Sequence, residues 1–282
     1  MRVGVCQLHS TAGDFAGNLA KVVAGLEKAH RDRIELLCFP ECYLTGYPDT
    51  EEAARRGAFA LDSPQMMQLL DKTARLDPTF VVGFNELRGR DLYNTAAVVH
   101  KGHVLGTYSK CAAYMPFYKQ GREFPVFDRG GTKFGVVICA DGGYIEPARI
   151  LALKGAKVIL SPHYNFIRAD GLLAHFTKVR ADHAARAVEN GVHFVRANSV
   201  TVGKETGITR SDGVGYGDSY IVDPHGEIVV RSRRQKEDYF FADLDLSYTD
   251  TNWGVGRSLY SHREFADHLA EAANDALNRK GK

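Results

Sequence analysis

Short apolar runs alternate with stretches of helical periodicity along the whole chain. In the first half the pattern predicts a helix over about 15–30, a polar helical stretch near 51–75, and strands at 3–8, 34–39, 80–84, 95–100 and 104–108. In the second half it predicts helices at 146–154 and 177–189, strands at 134–138, 157–161 and 193–197, and a hairpin of 220–224 with 227–231. Strand and helix therefore alternate throughout, which is typical of an α/β fold.

No linker rich in Pro, Gly or Ser separates the two halves. This favours one α/β domain with helices packed outside sheets, and the periodicity alone leaves open whether there is one sheet or two. We assign residues 1–262 to this domain and 263–282 to a C-terminal helix and tail. The helix predicted at 264–278 has an apolar face that needs a partner surface, and this face carries Phe265, Leu269, Ala272 and Leu277.

Composition narrows the possible functions by exclusion. The chain has 282 residues, is 44% hydrophobic and carries a formal charge of +2, so it has enough apolar residues for a core but no net field to attract nucleic acid or an anionic membrane. Its start is typical of a strand rather than a signal peptide, and no run of about 18 uncharged apolar residues occurs. Five cysteines, all in the first half, indicate reduced thiols in a cytoplasm. We expect a small-molecule partner, no nucleic acid and no membrane.

Several polar patterns do not support a cofactor or metal site. The glycine-rich segment 212–218 precedes a strand instead of the helix that a phosphate needs, so it is predicted as a flexible loop. The basic segment 231–236 is predicted as a solvated hairpin tip. The sequence has no H-E-x-x-H pattern and no C-x-x-C pair, so His163, His183 and His193 are interpreted as core or surface residues. We therefore expect no metal and no cofactor.

A cysteine after a buried strand is the most informative chemical feature. In 134–144 an apolar strand leads Cys139 into a turn with Gly142 and Gly143 that opens a helix. Such a turn exposes the sulfur at the sheet edge and leaves backbone N–H groups free to support a thiolate and an oxyanion. Taken alone, a cysteine in this pattern is more often a small buried apolar residue.

Two further strands end in charged residues. The run 34–41 ends at Glu41 after Pro40, which stops the strand ladder and directs the carboxylate beyond it, and the run 104–110 ends at Lys110. Alone, each is more often a solvated charge. Together with Cys139 they form a set suited to acyl transfer, since thiol attack on an amide needs a base for the S–H proton and a cation for the oxyanion.

Three segments resemble the signature stretches of the nitrilase superfamily, in order and separation: FPECYLTGY at 39–47, YSK at 108–110 and GVVICAD at 135–141. The resemblance covers nearly the whole chain and continues through EPAR at 146–149, SP at 161–162, RAVENG at 186–191 and GDSYIVDPHG at 217–226. It implies a four-layer αββα sandwich and cofactor-free hydrolysis of a non-peptide C–N bond. It makes Cys139 the nucleophile, Glu41 the general base and Lys110 the oxyanion partner, helped by the backbone amide after the cysteine.

The resemblance also implies association into a homodimer or higher homo-oligomer. The helices after Cys139 and near Arg186 would form the contact, and the C-terminal helix and the tail from Trp253 onward would help to cover it. The apolar face of the C-terminal helix is an independent reason to expect such a contact.

Two departures from the family pattern concern the pocket. The second glutamate of the family, in a loop after the lysine, falls here on Tyr114 or Met115, and the usual aromatic residue after the nucleophile is Ala140. We therefore expect Lys110 to have Glu41 as its chief acidic partner. Tyr114 would supply a substitute hydrogen bond, line the substrate channel, or simply pack in the shortened loop.

The sequence thus predicts an amidase or carbamoylase that acts on a small linear amide or N-carbamoyl compound through a thioacyl-enzyme and releases ammonia. A nitrilase, or an inactive family member that serves as a binding module, is the alternative. The predicted substrate-binding residues are Tyr47, Tyr114, Ala140, Tyr144, His163 and Asn165.

Overall fold

The structure is a computed structural model that describes residues 1–201, 213–247 and 263–279. In chain order the strands are β1 (Arg2–Gln7), β2 (Leu36–Cys38), β3 (Thr79–Arg88), β4 (Asp91–His100), β5 (His103–Ser109), β6 (Val126–Arg129), β7 (Thr132–Val136), β8 (Val158–His163), β9 (Phe166–Arg168), β10 (His193–Asn198), β11 (Gly213–Gly215), β12 (Tyr220–Val222), β13 (Ile228–Arg231) and β14 (Asp238–Asp243). The helices are α1 (Phe15–Arg31), α2 (Glu51–Gly57), α3 (Pro64–Thr73), α4 (Ile145–Leu153), α5 (Leu172–Asn190) and α6 (Arg263–Arg279). None of the described helices combines the length and the apolar character that crossing a bilayer requires.

The strands form two six-stranded sheets. The first has the order β14-β1-β2-β3-β4-β5, and the second has the order β13-β12-β10-β8-β7-β6. The strands β1, β2 and β3 are parallel in the first sheet, as are β7, β8 and β10 in the second. Because parallel strands run in one direction, the residues that follow them gather at one edge of each sheet.

Three apolar clusters define the layers. One joins the two sheets and includes Val5 and Leu36 from the first with Leu160 and Val195 from the second. Another packs α1 and α3 against the first sheet, and a third packs α4 and α5 against the second. The layers are therefore helix, sheet, sheet and helix. This confirms the predicted αββα sandwich and answers the open question in favour of two sheets.

The two covered faces of each sheet explain the apolar runs in the sequence. In β3, Val81 points into the cluster between the sheets, whereas Phe80 and Val82 belong to the cluster under the helices. In β8, Leu160 likewise points into the cluster between the sheets, and Ile159 belongs to the cluster under α4 and α5. Successive strand residues face opposite sides, so a strand that is covered on both sides must be apolar at nearly every position.

Two segments differ from their predicted structure. Gly213–Gly215 pairs with Phe166–Arg168, so the prediction of a flexible loop over 212–218 is wrong for 213–215. Gly217 and Asp218 lie outside the strands, and Asp212 lies outside the described residues. The basic segment 231–236 is not a hairpin tip, because it links β13 in the second sheet to β14 in the first. Gln7 Nε2 donates to the carbonyl oxygens of Arg233 (2.7 Å) and Lys236 (2.8 Å), which holds this link against β1.

The C-terminal helix has an exposed apolar face. Phe265, Leu269 and Leu277 of α6 are 54%, 62% and 69% exposed. Trp253, where the tail that we expect to help cover the contact between two copies begins, lies outside the described residues. A role for α6 in a contact between two copies of the chain stays a prediction.

Candidate active site

The three predicted catalytic residues lie where strands end. Glu41 follows β2 of the first sheet, and its N–H donates to the carbonyl of His163 in the second sheet (3.3 Å). Lys110 follows β5, and its N–H donates to the carbonyl of Asn94 in β4 (2.9 Å). Cys139 follows β7 and begins a short 3-10 turn with a left-handed φ of 49°. The Glu41–His163 backbone hydrogen bond therefore joins a strand end of the first sheet to one of the second at this place.

A buried ion pair forms the floor of the site. Lys110 Nζ donates to Glu41 Oε1 at 2.7 Å, and the two side chains are 3% and 0% exposed. Asn94 Nδ2 donates to the same oxygen (2.7 Å), and the Tyr164 N–H donates to Oε2 (2.8 Å). These donors compensate for the removal of the carboxylate from water. Lys110 thus has Glu41 as its acidic partner, the contact expected because this chain lacks the second glutamate of the family.

The thiol and the ammonium have perturbed ionisation. Burial raises the pKa of the Cys139 thiol to about 11, with Glu41 acting in the same direction and Lys110 against it. The thiol is therefore protonated near neutral pH and needs a base before it can attack. Burial opposes the charge on Lys110, but Cys139 and Glu41 outweigh burial and hold the pKa of the ammonium well above its usual value.

A carboxylate that the sequence analysis missed fixes the cysteine turn. Asp141 is fully buried, and it accepts hydrogen bonds from the Tyr108 hydroxyl (2.7 Å) and from the N–H groups of Ala112 (2.6 Å) and Ile138 (3.3 Å). It thus joins the turn at Cys139 to the segment that follows Lys110. Its position inside GVVICAD was the available signal, but the sequence alone does not reveal its partners.

An amide side chain contacts the sulfur. Asn165 Nδ2 lies 3.5 Å from Cys139 Sγ, and its Oδ1 accepts a hydrogen bond from Arg196. The Asn165 N–H donates to Asn198 Oδ1 at 3.0 Å. A guanidinium can only donate hydrogen bonds, so the Asn165 amide must turn its oxygen toward Arg196. Its NH₂ group therefore faces the Cys139 sulfur.

A cavity of about 610 Å³ opens onto Cys139 and Lys110. All six predicted substrate-binding residues line it, namely Tyr47, Tyr114, Ala140, Tyr144, His163 and Asn165. Their roles in binding stay predictions. Glu41 is not part of the wall and lies beneath it, bonded to Lys110. The wall also contains polar residues that the sequence analysis missed, and these are Asp49, Tyr164, His175, Lys178 and Asp182.

Two tyrosines define different parts of this wall. Tyr114 is 72% exposed and, among the described residues, makes no hydrogen bond to Lys110, so its position in the structure is that of a wall residue. Tyr47 stacks on Tyr164, with ring centroids 4.6 Å apart and planes at 8°. The Tyr164 N–H is also a donor to Glu41, so the stack adjoins the ion pair.

The histidines near the site pack against other side chains and are bonded to hydroxyl groups. Burial lowers the pKa of His163 well below its usual value, and its Nε2 hydrogen-bonds the Ser161 hydroxyl at 2.9 Å. His183 stacks on Phe194 and hydrogen-bonds the Tyr220 hydroxyl at 2.8 Å. In the part of the chain that the structure describes, no group of three His, Cys, Asp or Glu residues has the arrangement to hold a metal ion.

Comparison with known proteins agrees with this geometry. A nitrilase of Pyrococcus abyssi is 32% identical over 254 residues, which cover 87% of this chain and 90% of that protein. A glutamine-dependent NAD(+) synthetase of Thermotoga maritima is 30% identical over 257 residues, and this chain spans only 42% of its length. An amidase from Nesterenkonia sp. has the same fold, with a TM-score of 0.74 at 23% identity over 94% of this chain and 96% of that one. The carbon-nitrogen hydrolase family model matches residues 2–251, and the chain therefore belongs to this family, the nitrilase superfamily.

Proposed function

We propose that this carbon-nitrogen hydrolase cleaves a small linear amide or N-carbamoyl compound and releases ammonia, with Cys139 as nucleophile, Glu41 as general base and Lys110 as oxyanion partner. The observation that carries the proposal is the buried Lys110–Glu41 pair at 2.7 Å, since Lys110 lines the same cavity as Cys139. A thiol and a cation on the cavity wall, with a carboxylate base bonded to the cation beneath the wall, are the groups that acyl transfer to sulfur requires.

In the first step Cys139 Sγ attacks the carbonyl carbon while the thiol proton passes to Glu41. The raised pKa of the thiol makes this transfer necessary near neutral pH. The carbonyl oxygen becomes an oxyanion, which the Lys110 ammonium and the Ala140 backbone N–H stabilise.

Collapse of the tetrahedral intermediate breaks the C–N bond, and the nitrogen leaves as ammonia with the proton that Glu41 took. The acyl group stays on Cys139 Sγ as a thioester. Glu41 then removes a proton from the water molecule that attacks this thioester. The second tetrahedral intermediate expels the thiolate, which recovers its proton from Glu41, and the product is a carboxylic acid from an amide or a carbamic acid from an N-carbamoyl compound.

Ammonia release from short aliphatic amides, N-carbamoyl amino acids and nitriles tests the reaction class. Turnover of amides or N-carbamoyl compounds supports the proposal. Turnover of nitriles alone would favour the nitrilase alternative, and no turnover of any member would favour a binding module.

The role of Cys139 has a direct test. Cys139→Ala should abolish ammonia release without loss of the fold, whereas Cys111→Ala, at the other partly buried cysteine, is the matched control and should keep activity. Fluoroacetamide adds its acetamide moiety to the active-site cysteine in a variant of the amidase from Nesterenkonia sp. AN1, so it is a suitable probe for mass spectrometry. Full activity of Cys139→Ala would contradict the mechanism.

A second candidate substrate is the side-chain amide of glutamine. Similarity to a synthetase that is glutamine-dependent by name supports it. The cavity wall also carries Lys178 and Asp182, an ion pair four residues apart on α5 at 2.5 Å, whose charges complement those of a free amino acid. A Cβ at Gly143 would lie 3.5 Å from Asp182 Oδ2 and 4.0 Å from Lys178 Nζ, so glycine leaves open the space between this pair and the cysteine turn.

Glutamine and propionamide, measured side by side, test this second candidate. Lys178→Ala and Asp182→Ala should raise KM for glutamine and leave KM for propionamide unchanged, because only glutamine has the charged groups that the pair would bind. An equal change for both substrates, or no turnover of glutamine by the unaltered protein, would exclude it.

A further inference from the structure

Arg196 is a buried cation with no ion pair to any described residue. It is fully buried, and its Nη1 donates to the backbone carbonyls of Gly217 (3.3 Å) and Asp218 (2.7 Å). The Asp218 carboxylate itself pairs with Arg180 and Arg234. Burying a charge without an opposite charge is costly, so its retention here calls for a reason beyond packing.

The other terminal nitrogen of Arg196 leads to the proposed nucleophile. Nη2 donates to Asn165 Oδ1 and to the Tyr216 hydroxyl (3.0 Å). With its oxygen held, the Asn165 amide directs Nδ2 at Cys139 Sγ, 3.5 Å away. A chain of two hydrogen bonds therefore runs from the Arg196 guanidinium, through the Asn165 amide, to the Cys139 sulfur.

The charges around Cys139 show what a second cation adds. Glu41 disfavours a negative sulfur, whereas Lys110 and Arg196 favour it. Lys110 is already paired with Glu41. Without Arg196, Lys110 would be the one cation that balances both the Glu41 carboxylate and the Cys139 thiolate. Across the cavity Lys178 is paired with Asp182. Asp141, in the same turn, is bonded to the Tyr108 hydroxyl and to the N–H groups of Ala112 and Ile138. Burial raises the pKa of Cys42, Tyr47 and Tyr216 and lowers that of His163, so these four groups near the sulfur are neutral at pH 7.

We propose that Arg196 is a positioning residue for the nucleophile: it holds the Asn165 amide with its NH₂ group toward Cys139 and adds the positive charge that stabilises the thiolate. The inference rests on the proposed function, because it takes Cys139 as the nucleophile. The thiolate is the leaving group when water breaks the thioester, so its stabilisation assists that step as well as the first attack.

A purely architectural role makes a different prediction. Arg196 also lies between the rings of Tyr216 and Tyr220, with its guanidinium 5.5 Å and 5.6 Å from their centroids. If it only supported this part of the fold, its removal would lower stability and leave the ionisation of Cys139 unchanged. The pH dependence of Cys139 reactivity therefore separates the two roles.

The experiment is alkylation by iodoacetamide as a function of pH, with the modified residue mapped by mass spectrometry. The thiolate is the reactive form, so the rate at a fixed pH reports its fraction. Arg196→Met and Asn165→Leu should move the profile of Cys139 to higher pH, and a profile that moves by one pH unit slows alkylation about tenfold at pH 8. Arg196→Lys keeps the charge and should fall between these variants and the unaltered protein.

Arg180→Met is the matched control, because it removes a nearby cation that Asp218 already neutralises, and it should leave the profile unchanged. If Arg196→Met and Asn165→Leu fold and the pH profile of Cys139 alkylation does not shift in either, the inference about Arg196 is overturned. The proposed function would still stand. If Arg196→Met does not fold, Asn165→Leu decides, since that residue lies at the cavity wall. An unaltered protein that neither alkylates at Cys139 nor turns over amides would overturn the proposed function, and this inference with it.

Discussion

Replacing Glu41 by glutamine tests the buried ion pair. The change keeps the shape of the side chain but leaves the Lys110 ammonium in a dry site without its negative partner. Because the two side chains are 3% and 0% exposed, solvent screening does not weaken their interaction. Removing one partner of a buried pair costs about 3–5 kcal/mol. In a chain of this size that corresponds to a fall in Tm of roughly 6–10 °C.

In the double variant with Glu41→Gln and Lys110→Met, turnover should stay lost while stability is largely restored. Glu41→Gln should lower kcat by a factor of about 10²–10⁴, the contribution of a general base. Lys110→Met should also destabilise, because it leaves the carboxylate buried without the ammonium. With both changes neither charge remains, so the free energy of unfolding should return to within about 1 kcal/mol of the unaltered protein while activity stays lost.

The assay is thermal unfolding by circular dichroism on the four proteins, with ammonia release measured in parallel. The coupling free energy between the two changes should be close in size to the sum of the two single losses, because the double variant itself loses little stability. Strictly additive destabilisation in the double variant would refute the coupling. A Glu41→Gln protein with the Tm and turnover of the unaltered one would refute the role of the pair altogether.

Four further predictions concern the pocket, pH, metals and assembly. Because Tyr114 lines the cavity, we expect its hydroxyl to bond the substrate, so Tyr114→Phe should lower kcat/KM by about fivefold, the effect of a lost hydrogen bond of about 1 kcal/mol. Unchanged kinetics would assign Tyr114 to packing. Burial lowers the pKa of His175 and His193 to about 4, so the unfolded chain binds more protons at acid pH. The free energy of unfolding should therefore fall as pH drops from about 6.5 toward 4, by at most about 1.4 kcal/mol per pH unit for His193, and His193→Gln should reduce this slope in urea titrations. EDTA should leave ammonia release unchanged, and strong inhibition would reopen the question of a metal. Light scattering at micromolar concentration should give the mass of a dimer or larger assembly, and a monomer would count against a contact through α6.

The local pattern of the sequence determined most of the secondary structure and three candidate catalytic residues. Strands that are covered on both faces must be continuous apolar runs, so their ends can be located, and with them Glu41, Lys110 and Cys139. The edge strand β14 was missed, because its apolar run at 239–242 is only four residues long and its side chains are partly or fully exposed. Its place in the first sheet depends on the ladder that joins Arg2 to Asp243, which local sequence does not encode.

Only the tertiary structure decided which polar side chains surround the sulfur. Lys110 and Glu41 are 69 positions apart, and Arg196 reaches Asn165 across 31 positions. These contacts depend on strand order and register, since a shift of one residue in a strand turns every side chain to the opposite face. Register is set by the packing of both sheets against each other and against the helices. The sequence therefore shows that a polar residue lies at the end of a strand. Which side chains it contacts is decided only by the folded sandwich.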